Sequence, residues 1–313
     1  MTYLDARDDH RFAARLCRAL IGPLLCLALA TPAMAAGTLD KARETGKLTF
    51  GYRADARPFS YADESGKPNG FSVALCRRIG DAVKEELKLP ALAVDFVPVT
   101  AENRFNAVEQ GKIDLLCGTA TPTLGRRAMV DFSLPIFYAG IGAIVREDVS
   151  RRLRDALANR PDPTQPIWRG SPGLMTERAT LVVVGGTTIE RSLIDALKAR
   201  RIEVSVVPAP DYPTGLQMIV DRRATALFGD RPVLLDAARN GASFSELTVL
   251  DRAFTREPLA LALPRGDAPF RLVVDRTLSR LFRSKEFAAF YTSFFGQPDA
   301  DTLQFFQALA LPE

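Results

Sequence analysis

The sequence predicts an α/β fold of two lobes, each built on a doubly wound, mainly parallel sheet, with a cleft between them. Three observations carry that expectation. Strand-like and helix-like stretches alternate from Lys47 to Gly118. The alternation lapses over residues 148–180 and restarts at Leu181. Polar and charged residues gather where the strands of both halves should end, the position at which open parallel sheets take up small molecules.

In the first half "KLTFGYR" (47–53) reads as a strand and gives way to the turn formers of "ADARPFSYADESGKPNG" (54–70). Apolar residues at Val73, Cys76, Ile79, Gly80, Val83 and Leu87 share one helical stripe. "LAVDFVPV" (92–99) is a second strand, "ENRFNAVEQGK" (102–112) a short helix, and "IDLLCG" (113–118) a third strand. Residues 148–180 hold one helix and then a Pro/Gly-rich stretch containing the sole tryptophan, Trp168. The second half repeats the pattern. Strands are expected at "LVVVGG", "IEVSVVPA" and "ATALFGD", and helices at 187–200, 212–223 and 231–241. "EPLALALP" (257–264) adds one more strand before closing helices with aromatic faces.

The first 36 residues differ in kind: a positively charged stretch, the apolar "LIGPLLCLALA", then small residues at Ala33 and Ala35. That layout reads as a secretory signal peptide, residues 1–36, and implies a soluble periplasmic protein without a lipid anchor. Its removal takes four arginines and three aspartates, leaving 37 basic against 34 acidic side chains. With that balance and no basic stripe, nucleic acid is not an expected partner. Removal also takes His10, the only histidine. A Ser-His-Asp triad, histidine proton transfer and most zinc sites are excluded, and no cofactor or metal is expected. Cys76 and Cys117 remain, and their spacing leaves open one disulfide or two buried thiols.

Arg53 follows the first strand, Arg104 opens the helix after the second, and Thr119 and Thr121 follow the third, with Arg126 just beyond. In the second half "GGTT" (185–188) opens a helix, so the amides near Thr187 and Thr188 could cradle a carboxylate, while Asp230 ends a strand. Taken singly, each is an ordinary cap or surface charge. Their convergence on equivalent strand ends points to a site for a small anion.

At these residues the chain resembles the bacterial extracellular solute-binding proteins of family 3, and within them the glutamate/aspartate-binding branch. The resemblance is carried by "GYRADARPFSYADESGKPNGFSVALCRRIGDAV", by "VPVTAENRFNAVEQGKIDLLCGTATPTLGRR" followed by "VDFS", and by "VVVGGTTIE" and "ATALFGD". It implies a type II periplasmic-binding-protein fold whose lobes are joined by a two-strand hinge. Lobe 1 would comprise residues 37–145 and 257–313, and lobe 2 residues 146–256. It further implies that Arg126, Thr119, Thr121 and the amides near Thr188 take a ligand α-carboxylate and that Asp230 takes the α-ammonium. Arg53 and Arg104 would take a side-chain carboxylate, and Tyr212 stands where the family has a histidine. Ser72, Ala74 and Ala101 depart from the family pattern. The implied protein is a monomeric, non-catalytic receptor that closes like a clamshell on an acidic amino acid and delivers it to the membrane permease of an ABC importer. A dehydratase acting on cyclohexadienyl acids, with Asp230 or a glutamate as general acid, is the enzymatic alternative. A ligand-binding component of a signalling system is the other.

Overall fold

The computed structural model describes residues 37–158, 179–199, 203–241 and 246–312. The expected signal peptide, Trp168 and most of the 148–180 stretch lie outside the described residues.

The first sheet has the strand order β5-β1-β6-β13-β7, formed by β1 (Lys47–Arg53), β5 (Ala93–Val99), β6 (Leu115–Ala120), β7 (Val130–Ala139) and β13 (Glu257–Pro264). β5 and β6 pair with β1 in parallel, whereas β13 runs antiparallel to both β6 and β7. The second sheet has the order β10-β9-β11-β8-β12, from β8 (Ile141–Arg146), β9 (Thr180–Val184), β10 (Ser205–Ala209), β11 (Ala226–Asp230) and β12 (Leu247–Val249). There β9, β10 and β11 are parallel and β8 is the antiparallel member. Each mainly parallel sheet therefore takes its one reversed strand from the chain that has just crossed over from the other. Two lobes joined by two crossing segments follow directly from this topology.

The outgoing crossing is at Gly140, between β7 and β8, so the chain enters the second sheet five residues before the boundary expected at 145. The apolar run through "IFYAGIGAIV" hides the switch, because no charged residue or proline separates the two strands. Gly140 abuts the returning segment: a Cβ at this position would lie 2.6 Å from the Thr255 carbonyl oxygen, so only glycine allows the two crossings to touch. The amide of Ile141 donates to Thr255 Oγ1 at 3.3 Å and that of Phe254 to the Ile141 carbonyl at 2.8 Å, binding the crossings together.

Burial explains why "EPLALALP" is a central strand. Leu259, Leu261 and Leu263 enter one core with Phe50, Phe71 and Ile79, while Ala260 and Ala262 enter the opposite core with Phe105, Val108 and Phe132. A run apolar at every position is what a strand buried on both faces requires. Helix α1 (Thr38–Thr45) precedes β1 and α5 (Arg151–Ala158) follows β8, while the helix α2 (Phe71–Leu87) lays Val73, Cys76, Ile79, Gly80 and Val83 against the first sheet. Cys76 is bonded to Cys117 of β6, with Cα atoms 6.1 Å apart, and this settles the alternative left open by the sequence in favour of the disulfide. The bond pins α2 to the strand that ends in Thr119 and Ala120.

The turn-rich stretch after β1 holds more order than its composition suggests. Asp55–Ala56 (β2), Ser60–Ala62 (β3) and Pro68–Asn69 (β4) form a small antiparallel sheet, with Asp55 opposite Tyr61. No helix among the described residues is long and apolar enough to cross a membrane.

Candidate ligand-binding site

All nine residues singled out from the sequence line one recess: Arg53, Arg104, Thr119, Thr121, Arg126, Thr187, Thr188, Tyr212 and Asp230, joined by Ile189. Strand ends and helix starts of both sheets bring them together. In the first lobe, Arg53 is the last residue of β1 and only 2% exposed. Arg104 opens the short helix α3 (Arg104–Glu109) and is equally buried. The turn before it is fixed by a reciprocal pair: the Thr100 amide donates to Asn103 Oδ1 at 3.0 Å and the Asn103 amide to Thr100 Oγ1 at 3.1 Å.

The threonines at and just beyond the end of β6 divide their work. Thr123 caps the short helix α4 (Leu124–Arg127) by accepting from the Arg126 amide at 3.1 Å. That turn swings the Arg126 side chain back toward the strand end, where Nη1 donates to the Thr121 carbonyl at 2.8 Å. Thr119 and Thr121 face the recess. Both the Arg104 and the Arg126 guanidinium lie against the Phe105 ring, 4.7 and 4.5 Å from its centroid, an attraction that helps hold them in place.

In the second lobe, Thr187 caps α6 (Thr188–Ala199): its Oγ1 donates to the Val184 carbonyl at 2.7 Å and accepts from the Glu190 amide at 3.3 Å. Glu190 returns to accept from the Gly186 amide at 3.0 Å. The Thr187 hydroxyl is thus engaged in the helix start, and Thr188 Oγ1 donates to Glu257 Oε2 at 3.2 Å. Gly186 sits at φ 71°, and a Cβ there would meet the Ala101 carbonyl oxygen at 3.1 Å. Its own carbonyl accepts from Nη2 of both Arg104 (3.3 Å) and Arg126 (3.4 Å), so one oxygen of the second lobe serves two cations of the first.

Tyr212 opens α7 (Tyr212–Val220) behind the cap Asp211 and is 3% exposed. Its hydroxyl accepts from the Asp230 amide at 2.9 Å and donates to Asp230 Oδ2 at 3.1 Å.

Charge is concentrated here under low exposure. Burial, with repulsion from Arg53 and Arg126, lowers the Arg104 pKa to about 9. Burial lowers that of Arg126 to about 10, opposed by Glu257 and Asp230. Asp230 is pushed up to about 6 by burial, and the Tyr212 hydroxyl works against that rise. Two of the three Arg104 nitrogens, Nε and Nη1, are buried with no hydrogen-bond partner. Such uncompensated donors on a buried cation are costly unless another molecule satisfies them.

Arg53 differs from what the sequence suggests. Its Nε and Nη2 donate to Asp55 Oδ1 and Oδ2 at 2.6 and 2.5 Å, so this edge of the guanidinium is already occupied. Asp55, Ile189 and Glu257 are the residues that sequence reasoning missed, and Gly186 was read only as part of the "GGTT" helix start. An acid two positions beyond an arginine across a strand end was the available signal for Asp55. Glu257 comes to the recess from the returning crossing and left no local mark. Among the described residues, no group of three or more His, Cys, Asp or Glu side chains is placed to hold a metal ion.

The sequence profile of the bacterial extracellular solute-binding proteins, family 3, matches residues 48–297. The L-glutamate/L-aspartate-binding protein of Pseudomonas aeruginosa is 31% identical over 264 residues, covering 84% of this chain and 81% of its own. The glutamate/aspartate import solute-binding protein of Escherichia coli is 26% identical, with coverage of 86% and 82%. Among solved structures, the ancestral amino acid-binding protein AncCDT-1, a precursor of cyclohexadienyl dehydratase, superposes with a TM-score of 0.65 at 28% identity, over 82% of this chain and 99% of that one. The cysteine-binding protein of Campylobacter jejuni, at 22% identity and a TM-score of 0.66 over 86% and 98% of the two chains, shares the fold.

Proposed function

The chain belongs to the bacterial extracellular solute-binding proteins of family 3, and from that premise we propose that it is the periplasmic receptor of an ABC amino-acid importer and binds an acidic amino acid by closure of its two lobes. One observation carries the ligand class: Arg104 holds Nε and Nη1 buried without partners, on a group whose pKa of about 9 leaves it cationic at neutral pH. A neutral side chain would leave that cation unanswered, whereas a carboxylate answers it with charge-assisted hydrogen bonds of about 1.5–3 kcal/mol each.

In this reading Arg126, Thr119, Thr121 and the amides at the start of α6 receive the α-carboxylate. Asp230 receives the α-ammonium, and Arg104 the distal carboxylate. The first-lobe groups act first. Closure brings Asp230 and the α6 start onto the ligand, and it is favoured because the ligand then touches both lobes. The names of the Pseudomonas aeruginosa and Escherichia coli relatives support an acidic ligand. Export through the 1–36 segment and delivery to a membrane permease complete the proposal.

Titration calorimetry of the mature protein with glutamate and aspartate tests it. Micromolar binding, about −8 kcal/mol, is expected for the wild type, with a loss of at least thirtyfold in Arg126→Ala. Unchanged affinity in that variant would refute the assignment. The raised pKa of Asp230 also suits a general acid, which is what the dehydratase alternative needs. Turnover of prephenate or arogenate, abolished in Asp230→Asn, would decide for it.

A further inference from the structure

We propose that Asp55 is a specificity-determining residue: by closing the Arg53 fork, it sets how strongly the recess prefers a distal carboxylate over a distal carboxamide. The inference rests on the amino-acid-binding reading above and deepens it.

Two arginines at the distal end of the recess are in opposite states. Arg104 has two buried nitrogens without partners. Arg53, although only 2% exposed, meets Asp55 through the Nε–Nη2 edge, at 2.6 and 2.5 Å. This side-on fork is a two-pronged, charge-assisted pair, a strong way for a carboxylate to occupy a guanidinium. Asp55 is firmly held. Its side chain is 12% exposed, and β2 fixes its backbone opposite Tyr61. Its Oδ2 also accepts from the Tyr212 amide across the cleft at 3.2 Å. Closure of the lobes therefore secures Asp55 on Arg53 and does not pull it away.

The consequence for the ligand is electrostatic. A buried arginine with an open fork penalises a neutral side chain heavily, because the cation stays desolvated and unpaired. The Asp55 carboxylate already compensates Arg53, so only Arg104 penalises a neutral group. The recess should accordingly bind acidic amino acids yet tolerate their amides. An uncharged residue at position 55 would reopen the fork and sharpen the preference for the acid.

The test is calorimetry with glutamate, aspartate, glutamine and asparagine on the mature wild-type protein, Asp55→Ser, and Asp55→Ser combined with Arg53→Met. Asp55→Asn, which keeps the shape and an acceptor for the Tyr212 amide, is measured in parallel to guard against a folding defect in the serine variant. The expected result is an acid-to-amide affinity ratio at least tenfold higher in Asp55→Ser and Asp55→Asn than in the wild type. It should return toward the wild-type ratio when Arg53→Met is added. An unchanged or lower ratio in the single variants, with wild-type binding intact, overturns the role of Asp55 alone. Failure of the wild type to bind any of the four ligands overturns this inference together with the function it rests on.

Discussion

The Tyr212 hydroxyl grips Asp230 at two points, accepting from its amide at 2.9 Å and donating to its Oδ2 at 3.1 Å. The same contact that positions the carboxylate also restrains its protonation, since a hydrogen bond to the ionised form lowers a pKa that burial has lifted to about 6. The Tyr212 phenol itself stays neutral: burial and the neighbouring Asp230 hold its own pKa well above the ordinary value. The recess thus keeps a fixed donor whose charge does not change with pH.

In its proposed role as receiver of the ligand ammonium Asp230 must be ionised, which makes binding pH-dependent with a defined sign. Glutamate affinity should be level above about pH 6, where Asp230 is charged, and fall by up to tenfold per unit below it. In Tyr212→Phe the restraint is lost, so the decline should begin at higher pH. Calorimetric titrations from pH 5 to 8 would show this. A common midpoint for both proteins would mean that the hydroxyl does not act on Asp230.

The raised pKa is also a statement about stability. In the unliganded protein Asp230 binds a proton more readily than in the unfolded chain, whose carboxyl titrates near 3.8. Its contribution is therefore fully favourable below that value and is lost as pH rises through about 6. The shift of roughly two units amounts to about 3 kcal/mol of destabilisation at pH 7. Asp230→Asn should then raise the melting temperature of the ligand-free protein at pH 7 while abolishing ligand-induced stabilisation. The advantage should vanish as pH approaches 4. A variant less stable than wild type at pH 7 would show that the Asp230 environment favours the charge.

The contrast between what was legible and what was not follows the reach of each signal. Arg53, Thr119, Thr121, Thr188 and Asp230 were readable because strand ends and helix starts are local patterns, and a doubly wound topology places all such ends on one side. β8 was not readable as a separate strand: its five buried residues follow β7 with only Gly140 between them, and only pairing with β11 and β12 assigns it to the second sheet. Asp55 sat inside a stretch that composition describes as turn, although three short strands organise it. Whether an arginine is free or already paired depends on such neighbours, and spacing alone does not carry that information. Glu257 depends on a contact over 69 residues, between Thr188 and the returning crossing.

The Cys76–Cys117 bond closes a separation of 41 residues. Loop-closure entropy for that length is about 4 kcal/mol. Replacing both cysteines by alanine should lower unfolding free energy by about 3–4 kcal/mol in denaturant titrations. Glutamate binding should weaken less than this, because β6 is still paired with β1 and β13. A melting curve unaltered by reduction of the wild type would contradict the tie.

Gly140 offers a way to separate closure from ligand contact. It lines no part of the recess, yet the outgoing crossing can approach Thr255 only because no Cβ intervenes. An added methyl at 2.6 Å from a backbone oxygen cannot be accommodated without moving one crossing, and in the proposed closure the two crossings would be the hinge. The two crossings are also joined by the Ile141 amide on Thr255 Oγ1 and the Phe254 amide on the Ile141 carbonyl, and within the returning one the Thr255 hydroxyl donates to Glu257 Oε1 at 3.2 Å. Gly140→Ala should therefore weaken glutamate binding by about tenfold, roughly 1.4 kcal/mol, with every recess side chain unchanged. The loss should appear as faster ligand release, because in the proposed mechanism the first-lobe carboxylate contacts form before closure. Small-angle scattering of the saturated variant should give a larger radius of gyration than the saturated wild type. Equal radii and equal affinity would place the pivot elsewhere in the chain.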